Sequence, residues 1–461
     1  MIELFQSMQV AIRYNQGILS MKLSTKNLIS LFLLYIAFSV PSAISDQLPL
    51  ESISSLSDEL SQQVVTWRRD FHQNPELSNR EFRTSKIIAQ HLQALGIEVQ
   101  TGVAHTGVVG VLKGGKPGPV VLLRADMDGL PVPERNELPF RSEVIGEYNG
   151  EEVPVMHACG HDTHVAMLMG VAQILAELKD DMPGTVKFVF QPAEEGAPLG
   201  EEGGAEMMVA QGVLENPSVD AAFALHVSAN HDAGQIGYAA GPRYASVDDF
   251  KITVNGVQAH GASPWMGIDS IVVSAQIINA LQTIVSRNLE ITEQAGIVTI
   301  GSIHGGVRSN IIPETVEMVG TIRALDSGMR DQIHKRVREI AQGVAQSMGA
   351  SVEVQIPLST SYPMTFNDAE LTSEMLPVLI KVAGPDHVKE LKPITGAEDF
   401  SYIANEVSGF FISLGGKPPG TPDDQVAAHH TPDFIIDESG FDNGVKAMAA
   451  MAWQYMLNHS P

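Results

Sequence analysis

Three strand-like apolar runs in this chain each end on groups able to bind a metal or move a proton. Val120-Val121-Leu122-Leu123 runs into Arg124-Ala125-Asp126-Met127-Asp128, and Val186 to Phe190 runs into Gln191-Pro192-Ala193-Glu194-Glu195. Ala221 to Leu225 runs into His226, and His157-Ala158-Cys159-Gly160-His161-Asp162-Thr163-His164 lies between the first two segments. Open α/β sheets collect ligands outside the carboxyl ends of their strands. The pattern therefore predicts soft and hard ligands converging at one sheet end, as a metallohydrolase requires.

The rest of the chain fits such a sheet. Helical spacing is expected over Leu56 to Phe71, Thr84 to Leu95 and His164 to Leu178, with strands at Val108 to Leu112, Val120 to Leu123, Val186 to Phe190 and Ala221 to Leu225. That alternation implies an α/β fold with a mostly parallel sheet flanked by helices. Between 243 and 358 the order changes. A strand at Asp249 to Asn255, a helix at Ile268 to Val285, strands at Ile297 to Ile303 and Val316 to Ala324, a helix at Met329 to Met348 and a strand at Ser351 to Ile356 spell β-α-β-β-α-β. This is the split βαβ order of a ferredoxin-like unit. Residues 46–242 and 359–461 are expected to form one catalytic domain, with 243–358 inserted as a separate small domain.

A formal charge of -25 over 461 residues argues against nucleic acid or an anionic membrane as partner, because binding a polyanion needs a basic face. From Met21, Lys22 and Lys26 form a positive segment, Leu28 to Val40 is apolar, and Ala43-Ile44-Ser45 supplies small residues. This is the order of a secretory signal peptide, with Met21 as its start and residues 1–45 removed, and it predicts a periplasmic or secreted protein without a membrane anchor after cleavage. The single cysteine cannot close an internal disulfide. An unpaired thiol in an oxidising compartment is better kept if a metal holds it as thiolate.

Cys159 and His161 stand two apart and can aim at one centre, a soft and a borderline ligand suited to zinc or another late divalent ion such as Mn, Co or Ni. A lone cysteine is ordinarily a small core residue, but His157, His161, Asp162 and His164 crowd this one, and ionisable groups so dense are costly to bury without a cation. His164 opens a helix and reads as a supporting residue. Adjacent Glu194 and Glu195 point in different directions, so one can ligate while the other acts as general base. His226 follows a strand, and His429-His430 offer a further ligand near the C-terminus. In the inserted domain, His260 and Asn310 lie on polar loops that by themselves also read as ordinary turns.

Taken together, R-A-D-M-D-G-L-P from Arg124, H-A-C-G-H-D-T-H from His157, F-Q-P-A-E-E-G from Phe190 and G-A-E-D-F-S-Y from Gly396 resemble the metal-dependent amidohydrolases that include hippurate hydrolase, N-acyl-amino-acid amidohydrolases and auxin-conjugate hydrolases. The resemblance runs from about Trp67 to Tyr455. It implies two divalent ions per chain, with Cys159 bridging, His161 and His226 on one ion, and Glu195 with His430 on the other. It implies Glu194 as general base and Asp126 and Asp128 as support. His260 would polarise the scissile carbonyl from the partner subunit or on closure, and Asn310 would bind the substrate carboxylate. The inserted domain would be a lid that forms a homodimer. The implied reaction is hydrolysis of N-acyl or N-aroyl amino acids, with a dipeptidase or carboxypeptidase as the alternative. Gly129 stands where such relatives often carry Ala, and His429 keeps the last ligand open.

Overall fold

The apolar runs form the centre of an eight-stranded sheet. The computed structural model describes residues 47–461, so the export segment expected over residues 1–45 lies outside the described residues. Helices α1 (Leu50–Gln73) and α2 (Phe82–Ala94) precede strands β1 (Glu98–Val103), β2 (Gly107–Lys113) and β3 (Lys116–Asp126). A hairpin of β4 (Ile145–Tyr148) and β5 (Glu151–Pro154) leads to α3 (His161–Glu177), β6 (Pro183–Gln191), α4 (Gly204–Ala210) and β7 (Ala221–Asp232). Short strands β8 (Ile236–Tyr238) and β9 (Gly241–Tyr244) follow. Among the described residues, no helix is long and apolar enough to cross a membrane.

A second sheet then begins. Strand β10 (Ser246–Asn255), short β11 (Ala259–His260), helix α5 (Ser270–Thr283), β12 (Gly296–Gly305), short β13 (Ile311–Ile312), β14 (Thr315–Ala324), helix α6 (Ser327–Ser347) and β15 (Ser351–Gln355) follow in the β-α-β-β-α-β order. Strand β16 (Ser361–Tyr362) pairs with β10 and carries this sheet past residue 358. The chain returns through β17 (Thr365–Asn367), α7 (Ala369–Ala383), β18 (Val388–Glu390), α8 (Ser401–Ala404), β19 (Ser408–Lys417) and α9 (Phe441–Asn458).

The large sheet has the order β1-β2-β6-β3-β7-β19-β8-β18. Its inner four strands, β6, β3, β7 and β19, run parallel. Both faces of these strands are covered, which explains why Val121, Leu122 and Leu123 form an unbroken apolar run with no exposure. Asp126 pairs with Gln191, and Ser413 pairs with His226, while Arg124 lies level with Ala224. Asp126 and His226 are each two residues further on, so four strands present Gln191, Asp126, His226 and Ser413 in one row. The second sheet, β12-β14-β10-β15, is antiparallel. Alternate residues of β10 and β14 are buried against α5 and α6, giving a core of its own around Phe250, Ile252, Ile277, Ile333 and Val337.

Beneath the start of α3 lies a buried charge network. Arg68 Nε is 2.9 Å from Asp162 Oδ2, His72 Nδ1 is 2.8 Å from the same oxygen, and His72 Nε2 is 3.1 Å from Glu134 Oε1. Burial and the Arg68 charge lower the His72 pKa, but Asp162 and Glu134 outweigh them and leave it raised. A group whose folded pKa lies above its unfolded value stabilises fully below the unfolded value, and this contribution is lost as pH rises through the folded one. His72→Gln is therefore expected to cost about 3 kcal/mol at pH 6, the scale for breaking a buried ion pair. The deficit should shrink as pH rises beyond the imidazole range. Denaturant unfolding of both proteins at pH 6 and pH 9 measures it, and an equal deficit at both would refute the imidazolium.

Candidate metal centre

Gly160 sets the geometry between the first two ligands. Its φ of +96° lies in the left-handed region, and a Cβ there would meet Val227 Cγ1 at 2.4 Å. Gly160 is the left-handed N-cap of α3, which starts at His161, so Cys159 and His161 lie on either side of one tight turn. Ala193 (φ 52°) and His430 (φ 63°) are non-glycine residues in the same unfavourable region, flanking Glu194 and carrying the last histidine. Strained backbone of this kind persists where the surroundings hold it firmly. The His430 N–H donates to Ala158 O at 2.8 Å, and the Ala193 N–H donates to Glu81 Oε1 at 3.0 Å.

The structure brings five of the expected metal ligands and the expected base into one cluster. Ligand atoms of Cys159, His161 and His226 lie within 4.8 Å of one another, as do those of Cys159, Glu195 and His430, and those of His161, Glu194 and Glu195. Cys159 Sγ is 3.3 Å from His226 Nε2 and 3.3 Å from His430 Nε2, so the sulfur stands between the two groups. His430 Nε2 is 3.1 Å from Glu195 Oε1. His429 is turned differently: its Nε2 accepts the Ala229 N–H at 3.2 Å, and its Nδ1 is 3.7 Å from Cys159 Sγ.

Each imidazole is oriented from behind. His226 Nδ1 donates to Val227 O at 2.6 Å, which leaves the Nε2 lone pair for the centre. His161 Nδ1 bonds Asp128 Oδ1 at 3.1 Å, and its buried Nε2 has no hydrogen-bond partner. That orphaned atom, beside a thiol and two carboxylates, fits a cation. Asp128 Oδ2 accepts from Ser78 Oγ at 2.8 Å and from the Glu195 N–H at 3.0 Å, so one carboxylate orients ligands on two segments. Asp126 bonds His164 Nδ1, whose Nε2 accepts the Val227 N–H at 2.8 Å. His164 has both nitrogens occupied and supports the cluster.

The electrostatics point the same way. Burial pushes the Cys159 thiol well up, and Glu195 and Glu194 add to it, so a thiolate there needs a cation. Burial, with His164 and His429, holds His226 well below the usual imidazole range and thus neutral, as a ligand must be. Burial lowers the His161 pKa, but Asp126 and Asp128 raise it to about 10, and the same anions favour a cation in the proton's place. Glu194 is pushed well above the carboxylate range by burial, then by Glu398 and Glu195.

Several supporting residues had no role assigned from the sequence. Arg124, fully buried, donates from Nη1 to Asp126 at 2.7 Å and from Nη2 to Glu398 and Asp399 at 2.9 Å. Gln191 Nε2 donates to Asp399 at 2.7 Å. Glu81, which braces the Ala193 turn, also accepts from Thr106 Oγ1 at 2.6 Å, and burial and Asp128 push it up to about 8. Glu398 and Asp399 belong to G-A-E-D-F-S-Y, so the motif marks their place, whereas nothing around Glu81 marks its role.

The two remaining expected residues stand apart. His260 and Asn310 are exposed and adjoin each other through the β11–β13 ladder, where His260 pairs with Ile311. His260 Nδ1 accepts the Ala262 N–H at 3.0 Å, and no hydrogen bond or ion pair among the described residues links either side chain to the cluster.

Known proteins share this arrangement of sheet and inserted domain. A thermostable carboxypeptidase of Saccharolobus solfataricus is 39% identical over 88% of this chain and 98% of its own length. An IAA-amino acid hydrolase of Arabidopsis thaliana is 36% identical over 87% of each chain. The solved structure of the Bacillus subtilis YXEP protein, a dinuclear metal binding peptidase of the M20 family, superposes with a TM-score of 0.71 at 32% identity, covering 87% of this chain and 99% of that one. The sequence profile of peptidase family M20/M25/M40 matches residues 122–454, and the chain belongs to that family of hydrolases.

Proposed function

We propose that this protein hydrolyses the amide bond between an acyl or aroyl group and an amino acid, releasing a carboxylic acid and the free amino acid. The observation that carries this reading is the pair Glu194–Glu195: Glu195 joins the Cys159–His430 group, and Glu194 faces the same centre without being needed to complete it. The donor set fits two divalent ions, with His161 and His226 on one side of Cys159 and Glu195 and His430 on the other. Bound there, the ions supply Lewis-acid polarisation of the carbonyl and acidify water. Glu194 takes the proton of the attacking water as oxygen adds to the carbonyl carbon. It returns that proton to the amide nitrogen as the carbon–nitrogen bond breaks.

The second reading, a carboxypeptidase or dipeptidase, is favoured by the carboxypeptidase relative. Assay of the metal-loaded protein against N-acyl amino acids and dipeptides decides between them, faster turnover of peptides favouring the second.

We also assign residues 243–358 as a lid that pairs two copies of the chain. Trp265, Met266 and Val307 of this region are 77%, 71% and 93% exposed, and β12 is an edge strand bearing half-exposed Ile303. Exposed apolar side chains and an open edge are features of association surfaces. His260 then reaches the centre on closure or from the partner subunit, where it stabilises the oxyanion, and Asn310 receives the substrate carboxylate. His260→Ala is expected to lower kcat about 100-fold, the scale of one oxyanion donor, with metal content and dimer mass unchanged. A near-normal kcat would return His260 to the role of a turn residue.

A further inference from the structure

Beside Glu195 a cavity of about 610 Å³ opens between four stretches of chain: the 75–80 loop, Gly129-Leu130-Pro131, the β4–β5 hairpin and the loop that continues from Glu195 through Leu199. At about 30 Å³ for each water-sized group, it has room for on the order of twenty non-hydrogen atoms. An acetyl group would leave most of it empty.

The hairpin is seated firmly enough to be a wall. Gly146 of β4 lies so close to the protein that a Cβ would meet Val155 Cγ2 at 2.9 Å and Leu77 Cδ1 at 3.1 Å. Gly129, the departure noted in R-A-D-M-D-G-L-P, belongs to the same seat: a Cβ there would meet Glu76 O and Pro75 Cβ at 3.2 Å and Val155 Cγ1 at 3.3 Å. Side chains alternate along a strand, so Tyr148 shares the face of Gly146, and it lines the cavity. Leu199, 86% exposed, lines it from the loop after Glu195.

The charges decide which end of a substrate enters. Glu76, Glu147, Glu195 and Glu201 line the cavity with a single cation, Arg80. Arg80 Nη2 is committed to Glu201 at 2.6 Å, which leaves no free positive group for a substrate carboxylate. An anion here would meet like charge.

We propose that this hairpin-walled cavity is the acyl-side pocket and selects bulky apolar or aromatic acyl groups over small or anionic ones, with Tyr148 and Leu199 as specificity-determining residues; the proposal rests on the amide-hydrolysis reading. In the peptide reading the same pocket takes the side chain on the carbonyl side of the scissile bond.

The test compares N-benzoyl, N-acetyl and N-succinyl derivatives of one amino acid on the metal-loaded protein and on the variant Tyr148→Ala/Leu199→Ala, both positions being exposed enough to leave the core intact. Wild type should prefer benzoyl over acetyl and turn over succinyl least. In the variant, kcat/KM for the benzoyl substrate should fall about tenfold, chiefly through KM, with acetyl turnover within about twofold and metal content unchanged. A benzoyl-to-acetyl ratio that does not move, or a preference for succinyl, overturns the proposal. If wild type cleaves none of the three, the amide reading fails instead, and calorimetric binding decides the pocket. Tighter binding of the benzoyl compound that the variant loses supports it, and equal affinities refute it.

Discussion

Glu194→Gln is expected to lower kcat by about 10²- to 10⁴-fold, the range for a positioned general base, while both metal ions stay bound. The amide keeps the size of the side chain and removes only its capacity to carry a proton. Glu194 is 8% exposed, and one of its carboxylate oxygens is 3.8 Å from His161 Nε2. Its backbone is held from the junction with the second sheet, where Tyr362 Oη donates to Glu194 O at 3.1 Å. Burial and the neighbouring Glu398 and Glu195 favour its protonated form. A bound cation opposes that preference and keeps the carboxylate charged before the reaction. The loss should therefore appear in kcat with KM little changed. Stopped assays with metal analysis of the same sample check this, and a variant at wild-type rate with full metal content would move the base elsewhere.

The parts of this molecule legible in its sequence are those governed by short-range pattern. The inner strands of the large sheet are buried on both faces and read as apolar runs, and β10 and β14 alternate because only one face is covered. Cys159, His161, Glu195 and His226 were visible because each follows such a run or lies within the single dense H-A-C-G-H-D-T-H segment, whereas His430 sits on a turn and took its role only from the family resemblance. What pattern could not supply is pairing across the chain. Arg124 finds Asp399 from 275 residues away, and Glu81 finds Ala193 from 112. R-A-D-M-D-G-L-P marks the place of Arg124 but not its distant partner, and nothing local marks Glu81 at all. The β4–β5 hairpin was hidden for another reason. Its residues E-Y-N-G-E-E are mostly exposed, so no apolar alternation marks it. Asn149-Gly150, with φ of +54° and +84°, is a hairpin-turn signal that the segment does carry. His260 and Asn310 show the opposite limit: their loops read equally as ordinary turns, only the resemblance gives them a role, and the single chain does not join them to the cluster.

Removing the metal ions, or replacing Cys159 by Ala, is expected to cost stability as well as activity. Glu194, Glu195, Asp126, Asp128, Glu398 and Asp399 converge on a region in which, among the described residues, Arg124 is the one buried guanidinium that contacts any of them. Like charges so close in a dry interior repel strongly, and two divalent ions relieve that repulsion. A ligand present at 1,000 times its Kd adds about 4 kcal/mol to the folded state, so chelation should lower the melting temperature by several degrees. Activity should vanish with it and return when divalent metal is restored. Cys159→Ala should act differently from Glu194→Gln, because the sulfur stands 3.3 Å from both His226 Nε2 and His430 Nε2. Its loss should bring metal content below two ions per chain and turnover close to background, whereas Glu194→Gln loses turnover alone. Calorimetric melting and elemental analysis of the two variants side by side separate a ligand from a base. Full turnover by rigorously metal-free protein would refute the metal-centred mechanism.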